Sequence, residues 1–378
     1  MIYRTLENQI NENLFKGKAI VLLGPRQTGK TTLIRSVINK LPQETLFLDG
    51  DSLVTARLLD PPDLTRLQEI IGNHKIVFID EAQRIPHIGL TGKIITDRMP
   101  DVQLILSGSS SFELTQMMNE PLTGRKWSYF LYTVSWSEWQ NHVGYVQAEA
   151  SLDTRLVFGF YPDVLNNPQD QERILRELTD SYLYKDILMY ARLKKTDEIL
   201  KLLQALAFQI GNEVSYSELA EMTSLDPKTV DKYISVLEQG FVVFRLKSFS
   251  RNLRNEIKKS RKVYFYDNGI RNAVIGQFQN FQLRNDKGAL WENFLVAERL
   301  KWLTYNNIYA NTYFWRTTQQ QEIDYIEEIN GAMSAFEFKL NPLKKVRFHS
   351  TFTNQYNSVN KVVNKENFRT FVMQEYLQ

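Results

Sequence analysis

Short apolar runs alternate with helix-spaced segments along the first third of the chain, a pattern that predicts an α/β domain with a parallel sheet. AIVLL (19–23) is uniformly apolar, as a strand buried on both faces requires, and TTLIRSVINKL (31–41) has helical spacing. KIVFIDEAQ (75–83) and VQLILSGSSS (102–111) are further apolar strands with polar ends, and WSYFLYTVS (127–135) is another strand. Around residue 195 the pattern changes to short helices. In VSYSELAEMTSLDPKTVDKYISVLEQG (214–240), Ser215 and Glu218 form a capping box for a helix bearing Leu219, Ala220 and Met222. Asp226 and Pro227 start a second helix, with Val230, Ile234 and Leu237 on one face and Gly240 at its end. FVVFRLKSF (241–249) reads as a wing strand. The last strong pattern, TTQQQEIDYIEEINGAMSAFEFKL (317–340), is a hairpin turning at Asn330-Gly331. Its register pairs Ile329 with Ala332 and sets Asp324 across from Glu337. One face then carries Glu322, Asp324, Glu337 and Lys339; the other carries Ile323, Tyr325, Ile329, Phe336, Phe338 and Leu340.

Composition narrows the classes that remain. Lys plus Arg at 46 against Asp plus Glu at 43 gives a net charge of +3, so a nucleic-acid footprint has to come from a local patch. With no cysteine, disulfides, zinc fingers and thiol catalysis are excluded. His74, His87, His142 and His349 are scattered, which gives no zinc site. No run approaches the roughly 18 apolar residues of a membrane span, and the start has no basic segment followed by an apolar one. A cytoplasmic protein without a membrane partner is expected.

The chemistry begins at GPRQTGKTT (24–32). Gly24, Gly29, Lys30 and Thr31 meet the pattern G-x-x-x-x-G-K-[ST], between a strand and a helix as the motif requires. Gly24, Pro25, Arg26, Gln27, Thr28, Gly29, Lys30, Thr31 and Thr32 make up the loop and helix start whose backbone N–H groups, Pro25 having none, face nucleotide phosphates. Lys30 neutralises the β and γ charge, and the Thr31 hydroxyl is a ligand for Mg²⁺. Asp80, ending its strand, suits the metal's water shell, and Glu81 is the natural base for an attacking water. The expected cofactors are ATP and Mg²⁺. Ser107 or Ser109, on a strand placed between those of the loop and of Asp80, is a candidate γ-phosphate sensor; Ser110 or Ser111 is a candidate helix cap. LTGR presents Arg125, whose candidate role is an arginine finger across a subunit boundary, which requires a homo-oligomer; the plainer reading pairs it with a local acid. GFYP (159–162) is read either as a lid anchor or as a turn.

GPRQTGKT, FIDEAQ, LSGSSS and LTGR in this order resemble the AAA+ superfamily. They look closest to a bacterial and archaeal family of predicted ATPases whose AAA+ domain is fused to a C-terminal domain of unknown function. That resemblance extends along the whole chain, with GFYP departing from the shorter G-x-P of related signal-transduction ATPases. It implies an Mg-dependent ATPase and a restriction-endonuclease-like fold at the C-terminus.

The C-terminal half is read as directed toward DNA. Lys228, Thr229, Lys232 and Tyr233 line the expected outer face of the second helix. The run from Arg245 to Lys262 adds Lys247, Arg251, Arg254, Lys258, Lys259 and Arg261 against one acid, Glu256. A packing role for the same module is the competing reading. Opposed Asp324 and Glu337 repel unless a cation sits between them, and a divalent metal is the expected one, with Glu292 from GALWENFLVAERLKWL (288–303) as a further ligand and Lys339 facing the substrate. The order Glu, Asp, Glu-x-Lys resembles the PD-(D/E)xK nucleases; a solvated polar hairpin face is the alternative. The expected segments are an ATPase domain (1–140), a helical lid or connector (141–195), a winged helix-turn-helix (196–262) and a nuclease-like α/β domain (263–378). The function expected is ATP hydrolysis controlling a DNA-directed module; the alternatives are a slow switch that recruits proteins, and a small-molecule kinase.

Overall fold

A computed structural model describes residues 1–109, 121–180, 196–250, 260–317 and 319–374. The chain divides into two compact units, Met1–Thr133 with Gln239–Phe241, and Val134–Glu238 with Val242–Gln378.

The first unit is built on five strands: β1 (Ala19–Leu23), β2 (Thr45–Asp49), β3 (Ile76–Asp80), β4 (Gln103–Gly108) and β5 (Lys126–Phe130). All pair in parallel, in the order β2-β3-β4-β1-β5. Central strands β1 and β4 are buried along their whole length, which is why they read as unbroken apolar runs, whereas edge strand β2 alternates with solvent. β4 lies between the strand that feeds the glycine loop and the strand that ends in Asp80, as expected. The last strand is shorter than WSYFLYTVS suggested, ending at Phe130.

The second unit holds a seven-stranded sheet made of β6 (Glu213–Val214), β7 (Val243–Ser248), β8 (Arg261–Phe265), β9 (Asn311–Arg316), β10 (Glu322–Ile329), β11 (Ala332–Phe338) and β12 (Ser358–Val363). Its order is β12-β11-β10-β9-β7-β8-β6. This corrects the expected division at residue 262. The strand read as a wing, β7, continues directly into the C-terminal sheet, with β8 on one side and β9 on the other; it pairs in parallel with β9 (Lys247 with Tyr313, Ser248 with Phe314). One core also crosses the expected boundaries, joining Val164 and Leu175 to Leu206, Leu219, Ile234, Val263 and Ile270. GFYP belongs to that core: Phe160 donates its N–H to Asp267 at 2.8 Å, and Gly159, at φ 67°, ends the helix Tyr145–Phe158. It is a clamped turn.

Two helices, Tyr216–Thr223 and Pro227–Gln239, form where the caps predicted them. Ser215 accepts from the Glu218 N–H, and Asp226 from those of Lys228 and Thr229. Asn330 (φ 50°) and Gly331 (φ 83°) form the turn between β10 and β11, and Ile329 pairs with Ala332 and Tyr325 with Phe336 as expected. One face differs from expectation. A bulge between Ile323 and Ile326 places Ile323 in a cluster with Ile326, Trp315 and Phe352, while Tyr325 packs on Phe336, Phe338 and Phe371. Glu327 is buried in that interior, where Arg299 grips it with two hydrogen bonds of 2.6 and 2.8 Å.

Candidate functional sites

In the first unit the loop 24–29 connects β1 to the helix Lys30–Ile38. Gln27 (φ 58°) and Gly29 (φ 89°) take left-handed backbone there, and a Cβ on Gly24 would collide with the Leu131 carbonyl. The Lys30 ammonium is folded onto the loop, donating to Gly24 O at 3.0 Å and Pro25 O at 2.7 Å. Burial pulls its pKa down to about 8, against the raising pull of Glu81 and Asp80. Thr28 turns its side chain inward, its hydroxyl donating to the Pro25 carbonyl at 2.9 Å. Arg26 and Gln27 sit on the outer part of the loop, and Thr32 is exposed on the following helix.

Thr31 donates to Asp80 Oδ2 at 2.6 Å, which brings the end of β3 onto the start of the helix. Ser107 donates to the other oxygen of Asp80. Ser107 is therefore occupied with the carboxylate, and a direct γ-phosphate contact would require it to leave that bond. Glu81 sits at φ 46° immediately after the strand. Its Oε2 accepts from Gln83 Nε2 at 2.5 Å and Ser109 Oγ at 3.2 Å, with Gln83 and Ser109 themselves 3.1 Å apart. Within this chain Asp97 holds Arg125 at 2.6 Å, and its Nη1 reaches Thr123 O. The local-acid reading describes it.

Three residues of this site carry no sequence signal. Gln83 belongs to DEAQ, yet its side-chain target cannot be read from spacing. Arg4 is buried and donates to Thr28 O at 2.8 Å and Tyr132 O at 2.7 Å, bracing the loop from the N-terminal segment. Gly50 donates its N–H to Asp80 O at 2.8 Å, and a Cβ there would run into the Glu81 carbonyl.

In the second unit the carboxylates foreseen on the hairpin do gather, but with different partners. Lys339 Nζ lies 2.7 Å from Glu337 Oε2 and 3.4 Å from Asp324 Oδ2, and the Phe338 N–H donates to that same Asp324 oxygen at 2.7 Å. Burial, then the nearby Asp324 charge, raises the Glu337 pKa to about 7. Asn293 binds both backbone groups of Phe265, at 2.7 and 3.0 Å, and fixes the helix Lys287–Tyr305 on β8. Glu292, one residue earlier, thereby meets Lys262 at 2.9 Å and the Tyr264 hydroxyl at 2.7 Å. Lys262 also pairs with Glu322 at 2.6 Å. The expected ligand set of Asp324, Glu337 and Glu292 is thus split between two lysines. Among the described residues, no group of three or more His, Asp or Glu side chains is arranged to hold a metal ion. The residues present do not fit a three-carboxylate cage.

The basic run fares similarly. Arg245 binds Asp231 at 2.6 Å, Ser235 at 2.9 Å and Glu238; Arg261 binds Tyr216 at 2.8 Å and Asp231 at 3.1 Å. Lys262 is buried. Tyr233, expected on the outer face, is buried too, and Thr229 spends its hydroxyl on Asp226. Lys228 and Lys232 are exposed as expected. Arg251, Arg254, Lys258 and Lys259, like Ser110 and Ser111, lie outside the described residues.

Among the described residues no helix is long and apolar enough to cross a membrane. Compared with known proteins, residues 16–140 match a family model described as an AAA domain. Residues 149–280 and 287–376 match two models each described as a domain of unknown function, DUF8612 and DUF4143. An uncharacterized protein of Mycobacterium tuberculosis is 29% identical over 337 residues, covering 88% of this chain and 72% of that one. An uncharacterized protein of Methanocaldococcus jannaschii is 22% identical over 348 residues, covering 85% and 75%. A solved signal-transduction ATPase with numerous domains from Pyrococcus horikoshii covers 80% of this chain and 45% of its own at 13% identity, with a TM-score of 0.30 that carries no inference. Residues 16–140 are thus similar to an AAA domain, and residues 149–280 and 287–376 to domains of unknown function.

Proposed function

We propose that the chain hydrolyses ATP and that its nucleotide state governs a DNA-directed second unit. The observation that carries the first half is the 2.6 Å bond between Thr31 and Asp80, with Glu81 one residue on. A hydroxyl and a carboxylate so placed are oxygen donors of the kind Mg²⁺ takes, and the ion, when bound with ATP, supplies charge neutralisation at the β- and γ-phosphates. Lys30 would exchange its two loop carbonyls for phosphate oxygens. Glu81 would take the proton of the attacking water, while Gln83 and Ser109 hold its Oε2. A role for Arg125 on a neighbouring subunit would begin with the loss of its bond to Asp97. Steady-state ATP turnover of Glu81→Gln tests the proposal: a fall of about a hundredfold or more with nucleotide binding retained is expected. Unchanged turnover refutes it.

Exposed Lys228 and Lys232 support the DNA-directed half, together with the basic residues of the 251–259 segment. DNA affinity should fall steeply with salt and change with nucleotide. The restriction-endonuclease-like reading is supported by a helix-borne Glu292 beside a hairpin bearing Asp324, Glu337 and Lys339. A second reading, a switch that recruits proteins through a silent C-terminal domain, is favoured by the lysines that already neutralise those carboxylates. Incubation of DNA with Mg²⁺ or Mn²⁺, with and without ATP, separates the two. Cleavage that is lost in Glu337→Ala supports the nuclease; no cleavage alongside intact ATP turnover supports the recruiting switch.

A further inference from the structure

Four carboxylates converge in the second unit, Glu292, Glu322, Asp324 and Glu337, and two ammonium groups serve them. The two lysines are unlike in one decisive respect. Lys339, which bridges Asp324 and Glu337, keeps 22% of its side chain in solvent, so its flexible stem can carry the charge away when another cation or a phosphate arrives. Lys262, which bridges Glu292 and Glu322, keeps 1%. It rises from β8 inside the sheet, with its ammonium 5.5 Å from the ring of Phe314. No solvent position is open to it, and leaving either carboxylate would strand a buried charge.

We propose that Lys262 stands permanently where a divalent cation would otherwise lie between Glu292 and Glu322, and so closes that half of the carboxylate group to metal ions. The geometry supplies what such an ion would supply: one donor 2.9 Å from Glu292 and 2.6 Å from Glu322, with Tyr264 adding a second donor, at 2.7 Å, to the same Glu292 oxygen. It withholds the rest. An ammonium has no open coordination position and cannot polarise a bound water as Mg²⁺ does. Any ion this group of four carboxylates takes is left to Asp324 and Glu337. Glu292, expected from the sequence to be a ligand, becomes the carboxylate that seats Lys262. Lys262 is a positioning residue.

The test counts ions, with Mn²⁺ alone as the probe. Full-length chain carrying Asp80→Asn, free of nucleotide, is titrated and the bound Mn²⁺ followed by electron paramagnetic resonance. Adding Lys262→Met should raise the count by one equivalent, and adding Glu292→Gln to that variant should remove the gain. Lys262→Arg should keep the parent count. A Lys262→Met count equal to the parent's overturns the proposal. Should that variant not fold, the wild-type chain decides: the ¹⁵N signal of the Lys262 ammonium, assigned by its absence in Lys262→Arg, should persist unchanged in millimolar Mg²⁺. Its loss would mean that the ion displaces the lysine, which also overturns the proposal. Failure of DNA binding or cleavage bears on the DNA-directed reading only, because this inference rests on the ion pairs.

Discussion

Lys30 and Glu337 are two residues whose ionisation the fold shifts strongly. Lys30 has a pKa of about 8 in the folded protein against 10.5 when free, because burial disfavours its charge. Between those values the unfolded chain holds the extra proton, so stability rises with pH through that window, and below pH 8 the buried ammonium is a standing cost. Lys30→Met should therefore melt higher than wild type at pH 7, lose that advantage near pH 10, and no longer bind ATP; thermal melts and a binding titration check all three. Glu337 shifts the other way, from 4.5 to about 7, through burial and the Asp324 charge. Here the folded state holds the extra proton, so the wild type loses stability as pH rises from 4.5 to 7. Glu337→Gln should not show that loss, and melting curves across this range would reveal the difference. Equal slopes for the two proteins would mean that Glu337 titrates normally.

At the scale of elements, the turn after β3 depends on its neighbour. Gly50 packs against the carbonyls of Asp80 and Glu81 so closely that any side chain has to push the turn away. Gly50→Ala should cost about 1–3 kcal/mol in stability through overpacking. A displacement of about 1 Å at Glu81 is enough to lower turnover by about a hundredfold. Urea unfolding and ATPase rates measure the two effects separately, and a variant with wild-type turnover would show that the turn tolerates the shift. In the second unit, Arg299 ties the helix Lys287–Tyr305 to β10 through Glu327, and its other hydrogen bonds reach the carbonyls of Phe371 and Gln374 at 2.8 Å. Arg299→Met leaves the Glu327 charge buried without its cation, with the Tyr325 hydroxyl at 3.4 Å still donating to it, and a loss of about 3–5 kcal/mol is expected. Arg299→Met combined with Glu327→Gln should recover much of it. Additive losses would argue against the pair.

For the whole molecule, the continuity of the second sheet sets what can fold alone. Residues 196–262 contain the helix pair with β7 but only the first two residues of β8, and β7 also needs β9 as its other neighbour. That fragment should show little cooperative structure, whereas residues 134–378 should unfold in one transition; far-UV circular dichroism during a urea titration distinguishes them. A well-folded 196–262 fragment would restore the separate winged-helix domain expected from the sequence.

Local features were legible because their causes are local. The apolar runs of β1 and β4, the Ser215 and Asp226 caps, the Asn330-Gly331 turn and the spacing of Gly24, Gly29, Lys30 and Thr31 each depend on a few consecutive residues. The sequence by itself thus determined the parallel sheet of the first unit, the glycine loop that follows β1, and the register that brings Asp324 toward Glu337. Long-range partners followed no such rule. Which acid Arg125 meets within its own chain, whether Lys262 is a surface charge or the buried seat of Glu292, and whether β7 is a wing or the middle of a sheet are settled by segments dozens of residues away. Charged side chains read alike along a chain; burial and the nearest opposite charge, which only the tertiary structure supplies, decide which of them remain available for chemistry.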